Sequence, residues 1–404
     1  MNASPLERLK GTHPDLEIWW DSSPLVYKQW VEKMLNTAEP GRKPILEEQL
    51  SRLYNIEDPA KSIFQGCTTN PPLSWQAVRS NLDFWGKWVD DLIDSSPRGS
   101  QKQVYWQTYK EVVKLGAEKY LPIYEASKGR FGWISAQLDP RLFCETDQMI
   151  ADAEELSRLS PNVMIKVPAS MQGIDVVRAL TSRAIATNTT VCFTLPQIMA
   201  SANAAMQGIE LAKQNGVDLS KWRAVITMMI GRLTGNKVLD IQAERRDIQL
   251  SWQDKHWFGI AVFRRAYQLL KQGGYASKML ACSLKHGPLV AGKRRFWDVE
   301  KIAGGEIVYT CPPYVLEPLF EIGDDLDFRP EIEERPPQAV MDKLLRIPYC
   351  IQAYDPNGLA LEQFNDHPAT IDTIQTFSKG ASGLEEFVGE RMALVKKMPG
   401  KILT

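Results

Sequence analysis

The chain has 404 residues, 44% of them hydrophobic and 24% charged, with a formal net charge of -1. These are ordinary values for a soluble globular enzyme, and the length holds one large domain or two to three average ones. The near-neutral balance gives no general pull towards nucleic acid or anionic membranes, so neither is an expected partner, and an anionic substrate needs local positive charge.

The opening residues Met1 to Pro5 lack the basic-then-apolar pattern of a signal peptide, and no apolar run reaches the roughly 18 residues of a membrane span. The six cysteines, Cys67, Cys144, Cys192, Cys282, Cys311 and Cys350, form no CxxC pair, and four lie in apolar strand-like runs. Reduced core thiols and a cytoplasmic location are expected. With four histidines and none paired at ligand spacing, no metal site is expected.

Short apolar, β-branched runs alternate with helical patterns. In chain order the runs are 17–21, 62–67, 132–138, 163–168, 189–195, 224–230, 279–283 and 306–311. Residues 22–61 separate the first two, and a tryptophan-rich helical region fills 73–130. After the fourth run, Ile174, Val177, Leu180 and Ala184 form one apolar stripe. After the fifth, Ile198, Ala202, Ala205, Ile209 and Ala212 form another, with Pro196 suited to a first turn. The tail 329–404 reads as mostly helical, with a loop at 354–358. Strand then helix, repeated, calls for a parallel sheet of the α/β class. Eight strands argue for a closed (β/α)8 barrel, with a doubly wound open sheet as the fallback. The expected organisation is a single domain over 1–404, with helical insertions near 22–61 and 73–130 and a helical extension at 329–404.

Active sites of such barrels gather at the carboxyl ends of the strands. Asp21 closes the first run, and Thr68, Thr69 and Asn70 follow the second. Gln137 and Asp139 end the third, Lys166 lies inside the fourth, and Asn188 and Thr190 open the fifth. Thr227 lies in the sixth with Arg232 after it, and Ser283 and Lys285 follow the seventh.

Lys166 is the most informative of these. Flanked by apolar residues, it either shares the barrel interior with Met164 and Pro168 or faces the helices. Both places are poorly solvated, which disfavours an ammonium ion, and a free amine attacks carbonyls to form imines. The bland alternative is a strand-end lysine reaching solvent or pairing with a carboxylate. Asp21 alone could cap a turn, but imine chemistry needs a carboxylate that moves protons to and from a substrate hydroxyl. Arg232 and Lys285 are candidates for a phosphate clamp, with Gly231 allowing close approach; a solvated surface arginine is the alternative. The run Gly287 to Lys293 matches GxxxxGK, but Arg294 stands where a magnesium-binding Ser or Thr is needed. Pro288 also removes a backbone donor, so this is read as a chance match.

The segment 165–197, IKVPASMQGIDVVRALTSRAIATNTTVCFTLPQ, resembles the Schiff-base region of transaldolases and fructose-6-phosphate aldolases. Gly66 to Pro71 resembles the family's Thr-Thr-Asn-Pro turn. WWDSS at 19–23, ISAQLDPRL at 134–142 and MMIGRL at 228–233 resemble its first strand, third strand and arginine turn, in the family's order across roughly 17–319. Residues 364–388 fit the longer members. The resemblance implies a TIM barrel and a transferase of pentose phosphate chemistry. Such an enzyme moves a three-carbon ketol (dihydroxyacetone) unit between sugar phosphates through a lysine Schiff base, with no metal or organic cofactor.

By position, Lys166 resembles the imine-forming lysine and Asp21 the proton-shuttling acid. Asn70 and Asn188 resemble the asparagines that contact the substrate hydroxyls and the lysine region. Thr190 resembles the threonine that helps hold the catalytic water, and Arg232 the phosphate-binding arginine, with Ser283 joining the substrate-binding set. Gln137 stands where transaldolases carry glutamate, as in the aldolase branch; it can hold the water but not take its proton. Lys285 stands for the second phosphate-site arginine, Met229 for an aromatic residue and Thr227 for a serine. Three readings follow: a transaldolase; an aldolase, fructose-6-phosphate-aldolase-like or specialised, that releases the three-carbon unit; and a sugar-phosphate-binding barrel without catalysis. Sugar phosphates are the expected small-molecule partners, and assembly into a homo-oligomer is left open.

Overall fold

The computed structural model describes residues 3–55, 57–323 and 326–396. Eight strands form a closed barrel: β1 (Glu17–Asp21), β2 (Phe64–Thr68), β3 (Trp133–Gln137), β4 (Val163–Pro168), β5 (Thr187–Cys192), β6 (Ala224–Met229), β7 (Lys278–Cys282) and β8 (Ile307–Cys311). Each pairs in parallel with its sequence neighbours, and β8 pairs with β1 to close the ring. The strands are buried almost throughout, which is why they read as continuous apolar runs rather than alternating ones. The expected (β/α)8 barrel is therefore what the chain forms, and the open sheet is set aside.

β1 and β4 begin and end as the sequence indicates. β5 does not: it runs from Thr187 to Cys192, not from 189 to 195. Two local forces end it early. Val191 has a φ of 53°, which interrupts the ladder to β6. Thr194 then leaves the sheet to cap the helix Leu195–Gln214, with Gln197 bonding back to the cap and Pro196 in the first turn. The apolar stripe from Ile198 to Ala212 is buried in that helix. Ala184, read as the end of the other stripe, lies beyond its helix Met171–Thr181 at a φ of 57°.

The amino end of the barrel is closed by Trp19 and Glu17. A Cβ on Gly66 would come within 2.5 Å of the Trp19 ring, so only glycine lets the indole fill that layer. Glu17 accepts the Trp19 indole N–H at 3.0 Å and pairs with Arg223 at 2.5 Å and Lys278 at 2.8 Å. Burial alone would raise its carboxyl, yet the two cations hold it below the ordinary value.

Residues 22–61 carry the helices Tyr27–Thr37 and Lys43–Ser51, and 73–130 the helices Leu82–Ser95 and Gln101–Ala126. In the tail, helices span Gln338–Leu344, Pro348–Tyr354 and Pro368–Val395; residues 397–404 of the expected extension lie outside the described residues. The 28-residue helix Pro368–Val395 crosses the barrel and packs on the helices that follow β2. At Gly380 a Cβ would stand 2.4 Å from the Pro72 nitrogen, so the missing side chain lets this C-terminal helix lie on the Asn70–Pro71 turn.

Candidate active site

Gln137, Lys166 and Asn188 are register partners on β3, β4 and β5 and emerge side by side into the barrel. Lys166 is 1% exposed, and its Nζ donates to the Thr69 carbonyl at 3.1 Å. That carbonyl belongs to a turn fixed from both sides. The Thr69 hydroxyl donates to the Ser135 carbonyl at 2.7 Å, and Asn70 caps the helix Pro71–Arg79 by accepting from the Leu73 N–H.

Asp21 ends β1 beside β2. It accepts from the Thr68 hydroxyl at 2.8 Å, and Thr68 meets Thr310 of β8 at 2.5 Å. Burial raises its carboxyl above the ordinary value, and the charges of Lys166 and Arg232, with the Thr68 bond, only partly oppose this. The thiols nearby are poor nucleophiles. Burial, then the negative charge of Asp21, pushes Cys282 up to about 12 and raises Cys67 as well. All six cysteines are free and only Cys144 is exposed, in line with the reduced core thiols expected.

A second hydrogen-bonded chain crosses the barrel interior. Asn188 Nδ2 donates to the Ser135 hydroxyl at 2.9 Å, and the Thr227 hydroxyl donates to Asn188 Oδ1 at 2.5 Å. Asn188 is thus oriented by its neighbours. Thr190 lies by the Met229 sulfur. The Gln137 carbonyl accepts from Tyr109, whereas its side-chain Oε1 is buried with no partner among the described residues. Such an atom calls for a water or a ligand. Asp139 takes no part, because it is bound by Arg141 and Tyr105.

At the carboxyl ends of the strands lies a cavity of about 410 Å³. It brings together Asp21, Asn70, Met229, Arg232 and Ser283 from the expected set. Lys166, Gln137, Asn188, Thr190 and Thr227 do not line it; they sit inside the barrel. Asp21 belongs to both groups, since it lines the cavity and feels the charge of Lys166. Another cavity, of about 380 Å³, surrounds Glu17 at the amino end, where Arg223 and Lys278 are already paired.

The clamp expected from Arg232 and Lys285 does not form in one cavity. Lys285 is not part of the lining; its stem lies along Gly231 and Gly235, and it responds to the charges of Asp298, Lys255 and Asp240. Two constraints turn it away. Ser283 has a φ of 55°, and the Lys285 N–H is bound by Asp298 at 2.9 Å. Gly231 also has a purpose other than the expected one. A Cβ there would stand 2.1 Å from the Ser283 carbonyl, so the glycine serves strand-end packing rather than ligand approach. The segment at 287–293 forms part of an exposed two-stranded hairpin, Leu289–Val290 with Lys293–Arg294, and no phosphate-loop helix follows it.

Several lining residues escape a strand-end reading, among them Phe377, Lys33 and Glu317. Phe377, from the C-terminal helix, lies under the Arg232 guanidinium at 5.1 Å from its ring centre. Lys33 and Glu317 come from the helices Tyr27–Thr37 and Pro313–Ile322 and pair at 2.8 Å. Phe377 does continue a buried stripe with Thr370, Thr373 and Ile374, so its inward face was readable, but its target was not. Among the described residues, no group of three or more His, Cys, Asp or Glu is placed to hold a metal, and no helix is long and apolar enough to cross a membrane.

A family model described as Transaldolase/Fructose-6-phosphate aldolase matches residues 52–375, leaving Asp21 before the matched segment and Phe377 just after it. The transaldolase of Arthrobacter sp. (strain FB24) is 30% identical over 274 residues, covering 64% of this chain and 72% of that protein. Transaldolase 2 of Streptomyces avermitilis is 31% identical over 276 residues, with the same two shares. The transaldolase of Kocuria rhizophila is 30% identical over 236 residues, 57% of this chain and 61% of that protein.

Proposed function

This chain belongs to the transaldolase/fructose-6-phosphate aldolase family and is a transaldolase-like transferase, and from that premise we propose that it moves a three-carbon ketol unit between sugar phosphates through an imine on Lys166. The Lys166 amine adds to the ketone of the donor and expels water, giving an iminium ion. Asp21, as carboxylate, takes the proton of the hydroxyl two carbons from the imine carbon. The bond between the carbon that bears this hydroxyl and the carbon next to the imine carbon breaks, its electron pair passes to the iminium, and an aldehyde leaves. The enamine that remains attacks an acceptor aldehyde. Asp21 returns its proton to the new alkoxide, and water then frees Lys166.

One observation carries this reading: Asp21 is shared by the buried Lys166 and by the open cavity that holds Arg232. A carboxyl raised above its ordinary value also suits a group that must both take and return a proton. Arg232 suits a phosphate because its guanidinium makes no hydrogen bond or ion pair with the described residues, and its planar fork matches two phosphate oxygens. Asn70 keeps its amide Nδ2 for a substrate hydroxyl while Oδ1 caps the helix. The test is borohydride reduction with fructose 6-phosphate, followed by mass spectrometry of the peptide that contains Lys166. A reduced three- or six-carbon adduct on that lysine is expected; none across a wide set of ketoses would leave a sugar-phosphate-binding barrel in its place.

Release of the three-carbon unit is the second reading, and Gln137 favours it. Its unpartnered Oε1 lies in the row of Lys166 and can hold a water but not take its proton. Gln137→Glu is expected to raise the ratio of transfer to release by up to about 10²-fold, the lower end of a general-base contribution, measured as new ketose against free dihydroxyacetone. An unchanged ratio would remove Gln137 from that role.

A further inference from the structure

We propose that Lys33 is the second phosphate-binding cation of this site, held ready by Glu317; this rests on the sugar-phosphate reading above. A phosphate monoester carries about -1.5 to -2 charges near neutral pH. Among the described residues that line the cavity, only Arg232 and Lys33 are cations, and Asp21 and Glu317 are the only carboxylates. Lys285, which sequence position would nominate, is outside the lining, its stem lying along Gly231 and Gly235. A lone Arg232 therefore leaves a dianion about half neutralised. One face of its guanidinium is also covered by Phe377, so the phosphate must lie at the edge, which leaves its outer oxygens for another donor.

Lys33 has the chemistry and the position for that role. Its side chain is 60% exposed, and its ammonium is free to swing on a four-carbon stem. Its one ion-pair partner among the described residues is Glu317 at 2.8 Å, and that carboxylate lines the same cavity. An exposed pair of this kind is weak. A phosphate dianion competes well with one carboxylate for the ammonium, since it offers more charge and three acceptor oxygens. Glu317 then acts in two ways: it points Lys33 at the mouth, and it raises the concentration of anion needed to win it.

Three predictions separate this from a plain surface pair. Lys33→Ala weakens binding of fructose 6-phosphate about tenfold, as expected for one charge-assisted contact, and leaves unphosphorylated fructose unchanged. Glu317→Gln tightens fructose 6-phosphate about threefold, because the competitor is gone. The double variant binds better than Lys33→Ala alone, because the carboxylate no longer repels the anion. The measurement is calorimetric titration of fructose 6-phosphate, fructose and inorganic phosphate into the wild type and the three variants, with melting temperatures to check the fold. Equal phosphate affinity in wild type and Lys33→Ala overturns the proposal, as does an equal loss for fructose and fructose 6-phosphate, or no phosphate binding by the wild type. These outcomes are independent of the imine: borohydride trapping on Lys166 can succeed while Lys33 proves irrelevant, and binding can depend on Lys33 while trapping fails.

Discussion

Replacing Lys166 by methionine is expected to lower kcat/KM by on the order of 10⁴-fold or more, with the barrel still folded. The substitution keeps the length of the side chain and removes only the amine. Lys166 is surrounded by β3 and β5, so methionine inherits a dry, close-packed slot. The Thr69 carbonyl loses its donor, which costs about 1–3 kcal/mol where no water replaces it. Melting temperature and activity should therefore part company: little change in the first, near-complete loss of the second, and no borohydride adduct. A methionine variant within tenfold of wild type would mean that another group carries the chemistry.

Asp21→Asn is expected to lower kcat by about 10²- to 10⁴-fold, the range for removal of a general acid–base group, and to make the protein melt higher at neutral pH. The second effect follows from the raised carboxyl. The folded state holds the Asp21 proton more tightly than the unfolded chain does. Stability therefore falls as pH rises from the ordinary carboxylate range through the raised value, and stays low above it. Asparagine resembles the protonated acid and escapes that loss. The difference in melting temperature should disappear in acid, below the ordinary carboxylate range, where aspartate is protonated in both states. For the same reason the acid limb of the wild-type kcat/KM profile lies above the ordinary carboxylate range. Melting curves and rates over a pH series check both; an Asp21→Asn variant that is active, or less stable at neutral pH, contradicts this account.

Much of the barrel was legible because parallel strands buried on both faces leave unbroken β-branched runs, and 163–168 is the clearest. The fifth strand was misplaced although its end was written locally. Thr194, Pro196 and Gln197 form a capping box with proline in the first turn, and that signal outranks the apolar run around it. That Asp21 ends its strand at the mouth of the barrel, where it feels the charge of Lys166, follows from strand-end position. The placement of Lys285 does not, because a strand-end position fixes where a residue starts but not which way it leaves; Ser283 and Asp298 decide that. Lys33, Glu317 and Phe377 were invisible for a different reason. They reach the cavity from helices far apart in the chain, and no spacing rule connects them to Arg232.

The seat of Gly380 on Pro72 brings Phe377 beneath Arg232 from a segment that contributes no barrel strand. The ring that supports Arg232 and the strands that carry Asp21 and Lys166 are thus encoded in separable stretches of the chain. A change in that one turn of a peripheral helix would therefore alter the surroundings of Arg232 while leaving every barrel strand untouched, provided the anchor point keeps its bare backbone.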